Sequence, residues 1–153
     1  MSKDELIRTA TKIAQVDAKL AAEYSEKREA LVETMNQQMV SRPDIQQMVG
    51  ENNINMMRDN HANHARFLES IFHEYNPEVL VDTVLWVFRA YRSRNFSSTY
   101  WAAQLNAWLE IYKEKLSPAC YEAVYPYYNW MQINIPVFNK LAEENIDAPL
   151  SSH

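Results

Sequence analysis

A single glycine, Gly50, serves a chain of 153 residues. Glycine ordinarily makes up about 7% of a protein. Hairpin turns and β-bulges need backbone at positive φ, which glycine supplies most readily. A chain this poor in glycine is therefore expected to be all-α. Hydrophobic residues form 47% of it, enough for a real core, and the length is that of one domain.

Helix start and stop signals divide the chain. Ser2 and Glu5 have capping-box spacing. From Leu6 an apolar register runs through Ala10, Ile13, Leu20, Tyr24, Leu31 and Met35 to Met39, so residues 1–40 read as a long N-terminal helical segment. With its more polar stretch at 24–28, it reads either as one long helix or as two shorter ones divided there. Its apolar seam is thin and suits pairing with another helix, in the same chain or in a homodimer. Pro43 sits in the first turn of a short helix that Gly50 can close. Asn52 or Asn53 then caps a helix reaching about Tyr75. Asn76-Pro77 stops it and starts the next, whose apolar residues (Val79, Leu80, Val84, Leu85, Val87, Phe88) make it the expected central element. Ser97 or Ser98 caps a helix ending near Leu116. Ser117-Pro118 opens a final stretch to about Glu144, in which Pro126 and Pro136 should kink or break the helix. The expectation is a bundle of about six to eight helices over 42–144 and the N-terminal segment, with a flexible tail at 145–153.

The helix after Asn53 carries the most informative side chains. Ile54, Met57, His61, His64, Leu68, Ile71/Phe72 and Tyr75 follow three- and four-residue steps, so two imidazoles lie on an apolar stripe. A buried imidazole needs a hydrogen bond, a metal or a ligand. The His-x-x-His spacing lacks the glutamate of a helical zinc-protease site, and no Glu-x-x-His pair of the di-iron kind occurs. No metal site is assigned. A haem pocket, which needs one histidine, stays open as an alternative, and the cofactor is unknown. Both rings can equally be core residues bonded to backbone, tyrosine or aspartate.

The C-terminal half is crowded with aromatics, among them Tyr91, Tyr100, Trp101, Trp108 and Tyr128. Such stripes fill cores, and they also line clefts for planar ligands. Tyr125, Tyr127 and Tyr128 cannot all face inward on one helix. Arg89, Arg92 and Arg94 could grip an anion, or simply meet the negative end of a helix dipole. Cys120 stands alone, so no disulfide forms within the chain. It falls in a first helical turn, without basic neighbours to make it a nucleophile.

Several classes are set aside. Net charge is −5 without a basic block beyond those arginines, which argues against nucleic acid. One glycine rules out phosphate loops, and no nucleophile elbow or acid/base pair at catalytic spacing is present, so no enzyme is expected. No apolar run reaches the length of a membrane span, and no hydrophobic leader precedes a cleavage site. With the lone thiol, this suits the cytoplasm.

Residues 60–68 (Asn-His-Ala-Asn-His-Ala-Arg-Phe-Leu), Tyr91-Arg92-Ser93-Arg94 before a cap, the aromatic helix at 100–116 and Leu116-Ser117-Pro118-Ala119 together resemble the globin-like sensor domains, lacking haem, of stressosome-type bacterial regulators. They are also similar to the helical segments that precede cobalamin-binding domains, but the Asp-x-His-x-x-Gly motif of cobalamin binding does not occur. The resemblance spans roughly residues 42–140. It implies a globin- or phycobilisome-like bundle, often dimeric through N-terminal helices, that signals rather than catalyses.

The sequence reading is thus a non-enzymatic sensor domain. It would hold a small apolar or planar ligand in a pocket between the His61/His64 helix and the aromatic helices, with His61, His64, Tyr91, Tyr100, Trp101, Trp108 and Tyr128 as ligand residues. Arg89, Arg92 and Arg94 form a candidate anion site, and a homodimer and a signalling protein are the expected partners. The alternatives are a ligand-free interaction or dimerisation module, and a haem- or metal-binding globin-like protein.

Overall fold

The computed structural model describes residues 1–144; the tail expected at 145–153 lies outside them. The described residues form eight helices and no strand: α1 (Lys3–Ala10), α2 (Ala18–Val40), α3 (Ile45–Val49), α4 (Ile54–His73), α5 (Pro77–Arg92), α6 (Ser98–Lys115), α7 (Pro118–Ile133) and α8 (Ile135–Glu144). The all-helical expectation holds. None of these helices is long and apolar enough to cross a membrane.

The local chemistry sets most boundaries. Ser2 accepts from the Glu5 amide, Asn76 from the Glu78 and Val79 amides, and Ser117 from the Cys120 amide, with Pro77 and Pro118 opening their helices. Gly50 closes α3 at φ 92°. A Cβ there would stand 3.0 Å from Asn53 Nδ2, so a side chain would meet a strained backbone and would push the Asn53 amide aside.

Three expectations are corrected. The N-terminal segment breaks at residues 11–17, not at 24–28. Thr9 and Thr11 turn their hydroxyls back onto carbonyls, and Asp17 caps a new helix through the Lys19 amide. The polar residues at 24–28 stay helical because Glu23 pairs with Lys27, and Arg28 with Glu69. Pro126 lies inside α7 without ending it, and the chain breaks at Asn134, just before Pro136. The most buried helix is α6, whose Tyr100, Trp101, Leu105, Trp108, Ile111 and Tyr112 are all enclosed. In α5, Val79 is exposed and Leu85, Trp86 and Val87 are only half-buried.

Packing explains that difference. Helix α2 lies against α4, α6 and α7, and its thin seam (Ala21, Tyr24, Leu31, Met35, Met39) is buried within the chain. Helix α6 also meets α3, α7 and α8, while α5 lies on α1 and α8. Although consecutive, α4 and α5 are not among the closely packed pairs. The gap between them is the candidate site.

Candidate functional site

A cavity of about 540 Å³ separates α4 from α5, with α6 as its floor. Helix α4 contributes Asn60, His64, Phe67 and Leu68, α5 contributes Thr83, Val84, Phe88 and Tyr91, and α6 contributes Trp101, Gln104 and Leu105. Asn63, Ser70 and Val79 on its lining are exposed, so it opens to solvent on that side. No aspartate, glutamate, lysine or arginine lines it. The volume is that of a small-ligand site, and its lining is apolar with a few placed polar groups.

Two polar networks back the lining. In the first, Asn60 Oδ1 accepts from the Tyr100 hydroxyl at 2.7 Å and from Gln104 Nε2 at 2.6 Å. Gln104 is buried, and its Oε1 has no partner among the described residues. In the second, His64 Nε2 lies 2.7 Å from the Tyr128 hydroxyl, which lies 2.5 Å from that of Tyr112, which lies 3.0 Å from that of Tyr24. These four residues come from α4, α7, α6 and α2, and all three tyrosines are fully enclosed. Burial pushes the phenols of Tyr112 and Tyr128 well above their usual range, so they are neutral hydroxyls.

The two histidines have different surroundings. His61 is fully enclosed and does not line the cavity. Its Nδ1 donates to Asn36 Oδ1 at 2.6 Å, and Trp108 meets its ring edge-on at 6.1 Å between centroids. His64 is half-buried on the cavity wall. The Trp108 indole stacks on it at 5.2 Å and 9°, fixing the plane of the imidazole. Burial lowers both imidazoles to about 3, and His61 adds to the effect on His64. Both are neutral at ordinary pH.

Of the seven expected ligand residues, His64, Tyr91 and Trp101 line the cavity. Tyr100, Trp108 and Tyr128 stand behind it and hold the lining residues, and His61 is a core residue beside them. Tyr127 and Tyr128 face inward, whereas Tyr125 is 40% exposed. Arg89, Arg92 and Arg94 do not line the cavity; Arg92 reaches Glu143 and the Asn139 carbonyl on α8. Burial, with the nearby Glu23 carboxylate, raises the Cys120 thiol to about 11, and its Sγ reaches the Leu20 carbonyl. Among the described residues, no three His, Cys, Asp or Glu side chains gather to hold a metal ion.

Sequence reasoning missed Asn60, Thr83 and Gln104. The signal for Gln104 was present: an amide four residues after Tyr100 and four before Trp108 lies on a buried aromatic face, where it needs a purpose. No protein-family model, curated protein or solved structure matches this chain.

Proposed function

We propose that this chain is a non-enzymatic regulatory domain that binds a small, flat, largely apolar molecule between α4, α5 and α6. The observation that carries the reading is the cavity of about 540 Å³ left where α4 and α5 separate, walled by Phe67, Val84, Phe88 and Trp101. An apolar cleft of this kind favours a ligand that removes its surface from water. A single titratable side chain with an ordinary pKa near neutrality, His64, lies on the lining, and burial holds it neutral. The other titratable group there, the Tyr91 phenol, is raised further by burial, so the lining holds no acid/base pair poised near neutrality, which supports binding over catalysis.

The globin-like sensor arrangement, a homodimer and a signalling partner belong to the same proposal. With the α2 seam buried in the chain, a dimer would use other surface, such as that around the exposed Ile133 and Tyr125 on α7. The haem alternative is less well supported: His64 Nε2 is engaged by Tyr128 and His61 is enclosed behind the wall.

Titration of the isotopically labelled protein with indole, followed through backbone amide resonances, tests the reading. Saturable shifts confined to α4, α5 and α6 around the lining residues are expected, and Thr83→Trp should abolish them by filling the cleft. Shifts that never saturate, or that map elsewhere, would overturn it.

A further inference from the structure

The hydroxyl chain behind the cavity has a preferred direction. It contains three phenolic protons, one each on Tyr24, Tyr112 and Tyr128, and it ends on His64 Nε2. If Nε2 accepts, Tyr24 donates to Tyr112, Tyr112 to Tyr128, and Tyr128 to His64. Every phenolic proton then has an acceptor. If Nε2 carries the proton instead, each bond reverses. The Tyr24 proton is then left in a fully enclosed place with no other described acceptor. An unmade buried donor is costly, so the first direction prevails. The imidazole proton of neutral His64 therefore sits on Nδ1. That nitrogen bonds no described residue, and His64 is on the cavity wall.

The wall thus offers His64 Nδ1–H as a ring donor of fixed direction, beside the hydroxyls of Thr83 and Tyr91. Gln104 Oε1, although without a partner among the described residues, is enclosed and is not presented to a ligand. The wall offers no charge to balance an ionic ligand. Moving an ion from water into such a lining without a counter-charge is strongly unfavourable.

We propose that the cavity selects an uncharged flat ligand with a carbonyl acceptor facing His64 Nδ1–H, as an aromatic amide provides. This rests on the reading of the cavity as a ligand site. The tyrosines are positioning residues in it. They touch no ligand, and they set which imidazole nitrogen carries the proton.

Calorimetric titration at neutral pH with naphthamide, its charged isostere naphthoate and unsubstituted naphthalene tests the class. Naphthamide should bind at least about tenfold more tightly than naphthoate, because only the latter brings an unbalanced charge. It should also bind several-fold more tightly than naphthalene. His64→Phe keeps the stacked ring but removes the donor, and should bring naphthamide down to the affinity of naphthalene while leaving naphthalene unchanged. Naphthoate binding the unaltered protein as tightly as naphthamide would overturn the proposal whether or not any variant folds. So would naphthamide binding unaffected in a folded His64→Phe protein. In both cases ligand occupancy of the cavity would survive. Should none of the three compounds bind, the cavity reading itself fails, and the proposal with it.

Discussion

The Tyr128 hydroxyl lies 2.7 Å from His64 Nε2 and joins the cavity wall to the middle of the bundle. The same oxygen lies 2.5 Å from that of Tyr112, so a single atom links α4, α6 and α7. Removing it strands two groups at once, whereas removing the last hydroxyl in the series strands none as a donor.

Tyr128→Phe leaves His64 Nε2 and the Tyr112 hydroxyl proton without partners. It should lower the unfolding free energy by about 2–4 kcal/mol, at about 1–3 kcal/mol for each buried group left unsatisfied. Tyr24→Phe lets Tyr112 keep donating to Tyr128 and should cost about 1 kcal/mol. Urea denaturation of the two variants checks the order. Equal losses would mean that the direction of the chain has no energetic consequence.

Stability should fall with acid well above the carboxylate range. His61 and His64 are held at about 3, below the ordinary 6.5, chiefly by burial. As pH drops below 6.5 the unfolded chain takes up protons that the folded one refuses. The stabilisation is complete above 6.5 and is lost progressively toward 3. The limiting slope is about 1.4 kcal/mol per pH unit for each imidazole. The groups that meet these rings, Asn36, Tyr100, Trp108 and Tyr128, carry no charge to soften the effect. Urea midpoints between pH 6.5 and 5 should therefore decline steeply, and His64→Gln should roughly halve the slope. An undiminished slope would show that His64 is not held neutral.

Gly50→Ala should destabilise by about 1 kcal/mol or more, since the backbone is at φ 92° and the new methyl would crowd Asn53 Nδ2. That amide donates to both the Val49 and the Arg94 carbonyls and ties α3 to the α5–α6 connection. Thermal melts read the loss; an unchanged midpoint would mean that the turn relaxes freely.

Much of the helix pattern was legible because caps and prolines act locally: Asn76-Pro77 and Ser117-Pro118 start helices wherever they occur. The stripe through His61 and His64 was legible for the same reason, being a property of one helix. The separation of α4 from α5 was not, because it depends on which helices pack together, and the apolar excess of α5 looked like core. The different fates of His61 and His64 were hidden likewise. Asn36 and Tyr128, which decide them, are 25 and 64 residues away in sequence.

Glu23 and Ser117 form another long-range tie, 94 residues apart, and it holds α2 to the start of α7. The carboxylate accepts the Ser117 amide at 2.7 Å and its hydroxyl at 2.6 Å, and Lys27 Nζ at 2.9 Å. The Ser117 oxygen in turn accepts the Cys120 amide, so the cap of α7 is itself held by Glu23. Burial alone would raise this carboxyl, but the Ser117 and Lys27 bonds outweigh it and hold Glu23 at about 2. Its contribution is therefore present above pH 4.5 and lost as pH falls toward 2. Glu23→Ala should cost about 2–3 kcal/mol, as expected for losing hydrogen bonds to a charged acceptor. Ser117→Ala should cost about 1–2 kcal/mol through the lost cap. Lys27→Ala should cost under about 1 kcal/mol, because Lys27 is the more exposed partner. Since the first two changes remove the same bonds, the double variant should fall short of their sum by about 1 kcal/mol or more. Strict additivity in denaturant titrations would show that Glu23 and Ser117 act independently and that α7 is capped without help from α2.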